Sequence, residues 1–261
     1  MNILVNDVNI FYIILITFVS SLILVPLIRD IAIHINAMDI PDKRKVHKKP
    51  MPRLGGLAIF LSFLIGYMFF APVTTQMISI LIGSFLIVLL GIIDDINPLK
   101  ATTKLWGQIA VAMILVFYGN IYINELSIYG MNITLGLWAY PLSLFIIVAC
   151  INSINLIDGL DGLAAGTSSI YFITIIVISI LLGRTDNLGF FLCLITLGST
   201  LGFLFYNFNP ATIFMGDTGS MFLGFMVAVI SLLGFKTATL TSFLIPILIL
   251  FIPILDTLLA I

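Results

Sequence analysis

The chain has 261 residues, of which 61% are hydrophobic and only 9% charged, and its formal net charge is −1. A soluble domain usually carries about 25% charged residues. The hydrophobic core of a soluble protein of this length could not bury so many apolar residues. The composition therefore excludes an ordinary water-soluble protein and predicts that the chain lies in a lipid bilayer. The chain has no excess of basic residues that would indicate a nucleic-acid partner. Cys150 and Cys193 lie in apolar runs without metal-ligand spacing, and we expect both to be buried small side chains.

Apolar stretches of about 20 residues, the length that crosses a bilayer, recur along the chain. The first is too long for the core of a cleavable signal peptide and predicts a span. The stretches lie at 10–28, 54–71, 77–93, 105–119, 136–152, 163–183, 187–206, 219–234 and 239–255. Between two of them, 120–135 alternates polar and apolar residues around Tyr129-Gly130 and predicts a β-hairpin. The expected fold is therefore one all-α polytopic membrane domain over 1–261, with about nine transmembrane helices and a small extracytoplasmic β-hairpin.

Charge distribution assigns an orientation to these spans. If the helices alternate in direction, one set of connections is 29–53, 94–104, 153–162, 207–218 and the tail from Asp256. That set holds nine of the eleven Lys and Arg residues, so the positive-inside rule predicts that it is cytoplasmic. Nine of the twelve acids fall on the same side. Because acids contribute little to topology, their clustering suggests a functional site on that face.

Two adjacent carboxylates close the third apolar stretch, in the segment GIIDDINPLK. Asp94 and Asp95 are costly at the end of a span unless water, a partner or a metal stabilises them. Neighbouring helical positions point about 100° apart, so we expect one carboxylate to face the bundle and the other to face water. A solvated helix end is the alternative, although acids there oppose the helix dipole. Lys104 follows, either as an interfacial anchor or as a phosphate ligand.

A second polar segment, NSINLIDGLDGLAAG, interrupts the apolar pattern. Asn152, Asn155, Asp158 and Asp161 recur every third residue and would fan over about half of an unbroken helix. Glycines among them disfavour such a helix. We therefore expect the span to unwind here and to present amide and carboxylate oxygens, which suit Mg²⁺ bound together with substrate phosphates.

Two further segments place polar residues on the same side. Asp217 lies between Gly216 and Thr218 just before a span, where it would either cap the helix or help to bind a phosphate. Asn207 offers an amide, and Phe214 either stacks on a base or faces lipid. The loop DIPDKRKVHKKPMPRLGGLAI is basic, as expected for a site that receives anionic lipid or nucleotide phosphate, although positive-inside loading explains part of this charge.

Four segments together resemble a known family, the polyprenyl-phosphate N-acetylhexosamine-1-phosphate transferases (glycosyltransferase family 4). The family's cytoplasmic motifs are matched, in order and at similar spacing, by PMPRLGGLAI, GIIDDINPLKATTKLWGQ, NSINLIDGLDGLAAG and NFNPATIFMGDTGSMFLG. The first motif is most similar to the branch that initiates teichoic acid or O-antigen-type polymers. The muramoyl-pentapeptide branch of peptidoglycan synthesis usually reads T-P-T-M-G-G there.

This resemblance implies a reaction and its surroundings. Undecaprenyl phosphate would attack the β-phosphorus of a UDP-N-acetylhexosamine, with UDP-GlcNAc the expected donor, to give a lipid-linked sugar pyrophosphate and UMP. The expected cofactor is Mg²⁺, with Mn²⁺ as an alternative. The resemblance also implies a multi-pass protein of the bacterial plasma membrane, a site that faces the cytoplasm, and a homodimer.

The resemblance further assigns roles to residues of this chain. The metal ligands would be Asn155 and Asp217. The catalytic residues would be Asp94, Asp95, Asp158 and Lys104, with the two adjacent aspartates near the lipid phosphate and one of them as a base. The substrate-binding residues would be Lys48, Arg53, Asn152, Asp161, Asn207 and Phe214. Among these, Lys48 would meet phosphate, and Asp161, Asn207 and Phe214 would meet uracil.

One departure and several alternatives accompany this prediction. Family members usually continue beyond a P-I-x-D-T segment into a His-rich loop and a last span, and here that segment is 253–257, close to Ile261. We therefore expect either that this chain is a fragment lacking the C-terminal loop and last span, or that its sugar recognition is incomplete. A phospho-N-acetylmuramoyl-pentapeptide transferase is the nearest alternative. A secondary transporter with an aspartate relay would carry its site near the bilayer midplane, and a CDP-alcohol phosphatidyltransferase would need motif residues that are absent after Asp158. A purely structural membrane protein would leave the clustered Asn and Asp residues unexplained.

Overall fold

The computed structural model describes residues 4–5, 8–41, 50–70, 73–128 and 131–234. The helices are α1 (Ile10–His34), α2 (Gly55–Phe70), α3 (Thr75–Ile96), α4 (Ala101–Met113), α5 (Ala139–Ile157), α6 (Leu163–Leu181), α7 (Leu188–Asn207) and α8 (Gly216–Gly234). A π-helical turn, Ile114–Tyr118, extends α4, and a 3-10 turn, Gly136–Trp138, precedes α5. Three antiparallel two-stranded sheets pair β1 (Leu4–Val5) with β2 (Val8–Asn9), β3 (Met38–Asp39) with β4 (Met51–Pro52), and β5 (Glu125–Ile128) with β6 (Met131–Thr134).

These elements confirm the predicted polytopic helical fold. Within the described ranges, seven helices are long and apolar enough to cross a membrane, and α2, with 16 residues, is shorter. Eight of the predicted spans thus coincide with helices, while the ninth, 239–255, lies outside the described residues. Strands β5 and β6 confirm the hairpin, although its predicted turn at 129–130 is also outside them. The sheets β1–β2 and β3–β4 were not predicted.

Helix α8 lies at the centre of the bundle and packs against α2, α3, α5, α6 and α7. All its residues from Thr218 to Leu232 are buried. Glycines allow the neighbouring backbones to approach: a Cβ atom on Gly56 would overlap the backbone of Gly219, and one on Gly91 would overlap Thr218. Such small residues are typical of interfaces between transmembrane helices, where van der Waals contact favours association. The first turn of α8 is therefore held tightly between α2 and α3.

The helix ends that carry the polar motifs meet at one face of this bundle. Helices α3, α5 and α7 end there, and α2, α4, α6 and α8 begin there, because ion pairs and hydrogen bonds join these helix ends. The backbone also joins the loops: Arg53 and Phe214 form a parallel β-bridge, and the Arg53 N–H donates to the carbonyl of Ala37 after α1. For the described parts of the connections before α2, between α3 and α4, between α5 and α6, and between α7 and α8, the prediction that they share one face is therefore confirmed, while the tail from Asp256 lies outside the described residues.

Candidate active site

The carboxylate of Asp95 caps the first turn of α8 from the end of α3. Its Oδ1 accepts a hydrogen bond from the backbone N–H of Asp217 (2.9 Å), and its Oδ2 accepts from the N–H (3.0 Å) and hydroxyl (2.7 Å) of Thr218. A negative charge here also interacts favourably with the positive end of the helix dipole. The alternative that Asp217 itself caps α8 is wrong, because α8 begins at Gly216 and Asp217 belongs to its first turn.

Asp94 and Asp217 share one cation. The Nζ atom of Lys104 lies 3.2 Å from Asp94 Oδ2 and 2.8 Å from Asp217 Oδ2, so the ammonium group of α4 joins α3 to α8. The other carboxylate oxygen of Asp94 accepts from the N–H of Leu99, which orders the turn between α3 and α4. Lys104 is thus a partner of the carboxylates and more than an interfacial anchor.

The expectation that one of the adjacent aspartates faces water is wrong. Asp94 and Asp95 are each only 5% exposed. The reason is that α4 turns back over the end of α3 and brings Lys104 to one carboxylate, while the start of α8 covers the other. Both acids are therefore stabilised by partners within the chain and not by solvation.

Arg53 joins the loop before α2 to the same carboxylates. Its Nη2 atom lies 3.3 Å from Asp95 Oδ1 and 3.9 Å from Asp217 Oδ1, and its Nη1 atom lies 3.5 Å from Asp39 Oδ1. The sheet β3–β4 brings Asp39 to this position by pairing it with Met51. The guanidinium side chain remains partly exposed, so it combines anchoring of the carboxylates with access to a ligand.

The polar motif at the end of α5 lies beside α8. The predicted break in this segment is confirmed at 158–162, which contains Gly159 and Gly162, but the helix continues through Ile157, so Asn152 and Asn155 lie in α5 and not in the unwound part. Asn155 instead projects from the last turns of α5, where its amide donates to Ser220 Oγ at 2.8 Å and adjoins the carboxylate of Asp217. The two predicted metal ligands are thus neighbours.

Asp158 follows directly after α5 and is half-buried. Burial raises the pKa of this carboxyl above its usual range, and the negative charges of Asp95 and Asp217 raise it further, while Arg53 opposes the shift. The electrostatic coupling indicates that Asp158 belongs to the same cluster. Its ionisation adds unfavourable negative charge, which a bound cation would relieve.

Of the three residues predicted to meet uracil, Asp161 and Phe214 lie in the neighbouring loops and Asn207 is the last residue of α7. Asn207 uses both ends of its amide within the chain, accepting from the N–H of Gly162 at 3.1 Å and donating to the carbonyl of Ile213 at 2.9 Å. Asp161 accepts from the amide of Asn209 and the N–H of Ala211.

These bonds tie the α5–α6 turn to the α7–α8 loop. The backbone of Phe214 bonds to Pro52 and Gly55, which ties the same loop to the start of α2. Contact with uracil stays a prediction.

Lys48 lies outside the described residues. Asp39 and Gln108 were not predicted as site residues. Asp39 forms an ion pair with Arg53, and Gln108 accepts a hydrogen bond from Asn152. The spacing of Gln108, four residues after Lys104 on one helix, is the signal that could have identified it. Thr218 and Ser220 have no such signal, because their partners are on other helices.

Comparison with known proteins decides the family. The family model described as "Glycosyl transferase family 4" matches residues 77–235 of this chain. The chain belongs to glycosyl transferase family 4. The matched part of this family 4 chain runs from α3 through α8 and so contains most of the cluster, whereas Arg53 and Asp39 precede it.

Several curated relatives extend the comparison to nearly the whole chain. A probable undecaprenyl-phosphate N-acetylglucosaminyl 1-phosphate transferase of Bacillus subtilis is 46% identical over 256 residues, which are 95% of this chain and 69% of that protein. A decaprenyl-phosphate N-acetylglucosaminephosphotransferase of Mycobacterium tuberculosis H37Rv is 35% identical over 90% of this chain and 65% of that protein. A phospho-N-acetylmuramoyl-pentapeptide-transferase of Desulfitobacterium hafniense is 32% identical over 80% of this chain and 70% of that protein. The chain thus spans about two thirds of the length of the relatives it matches.

Proposed function

We propose that this family 4 chain transfers N-acetylglucosamine 1-phosphate from UDP-GlcNAc to undecaprenyl phosphate. An oxygen of the lipid phosphate forms a bond to the β-phosphorus, and the bond from that phosphorus to the bridging oxygen breaks, so that UMP leaves. The observation that carries the choice of substrates is the 46% identity, over 95% of the chain, to the Bacillus relative of that name. The muramoyl-pentapeptide alternative is the more distant one, at 32% identity.

The charge balance of the cluster supports a phosphoryl-transfer site. Two cations, Arg53 and Lys104, lie among the following carboxylates: Asp39, Asp94, Asp95, Asp158 and Asp217. Since one phosphoanhydride replaces another, catalysis depends mainly on positioning and on neutralising charge. A surplus of buried carboxylates would repel a pyrophosphate unless a divalent cation came with it.

The donor set fits Mg²⁺. Among the described residues, the structure contains no cluster of three or more His, Cys, Asp or Glu side chains arranged to hold a metal. Mg²⁺ often uses only one or two carboxylates and completes its shell with water and substrate phosphates. Asp217 and the adjoining Asn155 amide supply oxygens of this kind. When bound there, the metal would neutralise negative charge on the pyrophosphate.

The chain's own residues would position the two phosphates. Lys104 has three N–H donors, and the ion pairs with Asp94 and Asp217 engage two of them, which leaves one for a phosphate oxygen. Asp94 thereby orients Lys104, and a base is unnecessary because the lipid phosphate is already ionised. Asp95 positions the first turn of α8 and, with it, Asp217. We further propose that this face is cytoplasmic, from the positive-inside count and the location of UDP-sugars.

Release of UMP tests the proposal. Membranes that contain the chain would receive UDP-GlcNAc, undecaprenyl phosphate and Mg²⁺, with omission of each substrate and addition of EDTA as controls. We expect release that requires both the lipid and the metal. Asp217→Ala is expected to abolish release, whereas Asp186→Ala, which alters an exposed aspartate at the opposite end of the helices, is expected to have no effect. Release from UDP-N-acetylmuramoyl-pentapeptide and not from UDP-GlcNAc would overturn the choice of sugar.

A further inference from the structure

Gln108 is a buried amide with a single well-formed partnership. It projects from α4 one turn after Lys104, and only 2% of its surface is exposed. A buried amide must find partners within the chain, because an unsatisfied one costs free energy. Its Oε1 atom accepts from Asn152 Nδ2 at 2.7 Å, and its Nε2 atom lies 3.4 Å from Asn152 Oδ1 and 3.7 Å from the sulfur of Met221. Thioether sulfur is a weak acceptor, so Asn152 is the main partner.

The same bonds determine what Asn152 offers to a ligand. Its amide nitrogen has two hydrogens, and both are donated within the chain, one to Gln108 and one to the carbonyl of Val148 at 2.8 Å. Its oxygen receives only the long bond from Gln108 and retains lone-pair capacity. Asn152 is half-buried and stands one helical turn before Asn155, which adjoins the carboxylate cluster. Held in this orientation, Asn152 presents an acceptor and no donor.

We infer that Gln108 is a positioning residue that fixes the amide of Asn152, so that Asn152 accepts a hydrogen bond from a hydroxyl or N–H group of the sugar nucleotide and does not donate to phosphate. This inference rests on the proposed function. Without Gln108 only the bond to the Val148 carbonyl holds the amide, which can then turn over and direct an N–H group to the position where the substrate requires an acceptor. The loss would then fall on substrate recognition more than on the fold.

A double-mutant cycle tests whether Gln108 acts through Asn152. Steady-state kcat and KM for UDP-GlcNAc would be measured for the wild type, Gln108→Met, Asn152→Ala and the double variant. Gln108→Met preserves length and removes the amide. We expect about a tenfold loss of kcat/KM from Gln108→Met in the wild-type background, as for one lost hydrogen bond, and less than twofold in the Asn152→Ala background. Gln76→Leu serves as the control, because Gln76 lies at the start of α3, opposite the end that carries Asp94 and Asp95, and it is expected to leave kcat/KM unchanged.

The outcomes separate the inference from the proposed function. Inactive wild-type protein would contradict the proposed function. Active wild type with an unchanged Gln108→Met variant, or with the same loss in both backgrounds, would overturn the inference. Should Gln108→Met lower the apparent Tm so far that turnover reflects misfolding, Gln108→Asn keeps an amide but is one methylene group too short for the 2.7 Å bond. The same non-additive loss is expected from it, and an additive loss would again overturn the inference.

Discussion

Replacement of Asp95 by alanine should destabilise the fold before it affects any chemical step. The variant removes the acceptor of three hydrogen bonds from the first turn of α8 and separates Arg53 from its 3.3 Å partner. Each buried donor left without an acceptor costs about 1–3 kcal/mol, and an N-cap contributes about 1 kcal/mol. Because these contributions overlap, we expect a total of about 3–5 kcal/mol, as for other broken buried ion pairs. In a chain of this size that corresponds to a fall in apparent Tm of roughly 10 °C.

The assay is thermal unfolding of the detergent-purified protein, followed by loss of the monodisperse peak in size-exclusion chromatography. Asp30→Ala is the matched control, because Asp30 is an exposed aspartate on α1 near the same face. Asp95→Asn should fall between the wild type and the alanine variant, since the amide keeps one oxygen acceptor but turns a donor toward an N–H group. A wild-type Tm for Asp95→Ala, combined with loss of turnover, would refute the capping argument and return Asp95 to a chemical role.

Three further predictions concern charge and close packing. Lys104→Met should lower turnover at least about tenfold through loss of a phosphate contact. Because the carboxylates lose a competing cation, the variant should also bind Mn²⁺ more tightly, as measured by electron paramagnetic resonance. Weaker Mn²⁺ binding would contradict the competition between Lys104 and the metal. The pKa of Asp158 is raised, so its ionisation destabilises the fold as the pH rises through that pKa. Asp158→Asn should therefore raise the Tm in EDTA at pH 8 but not near pH 4, while lowering turnover, and an equal change at both pH values would exclude the electrostatic cause. Gly56→Ala should lower the free energy of unfolding by about 1–3 kcal/mol, because the added Cβ atom forces α2 away from α8. In Gly166→Ala the added Cβ atom meets open space, so this control should not lower the Tm. Equal effects of the two variants on Tm would contradict the tight contact between α2 and α8.

The sequence predicted the helices well because their apolar stretches are long and uninterrupted. Helix ends were less accurate: the span predicted to end at residue 152 continues to Ile157. The apolar count falls where Asn152 and Asn155 enter the pattern, but their side chains find partners on α4 and α8. The sequence prediction thus ended the span at polar residues, Asn152 and Asn155, that lie within α5. Only tertiary contacts, which satisfy these amides, explain why the helix persists.

The candidate site was predicted in its location more than in its bonding. Alternating spans and charge counts were sufficient to bring Asp94, Asp95 and Asp217 to one face. They could not reveal that Asp95 caps a helix that begins more than a hundred residues later, since capping rules consider neighbours in sequence. Nor could they reveal the pairing of Arg53 with Asp39, which depends on a two-residue strand with no recognisable periodicity.

In the proposed reaction, the chain transfers a phosphosugar and not a sugar alone. The most direct test uses UDP-GlcNAc labelled with ³²P at the β-phosphate and with ¹⁴C in the sugar, followed by extraction of the lipid fraction after incubation with undecaprenyl phosphate and Mg²⁺. We predict that both labels enter the lipid in equal amounts, with one UMP released for each. Sugar label without phosphorus label in the lipid, or no lipid label while UMP is released, would rule out transfer of the phosphosugar to undecaprenyl phosphate.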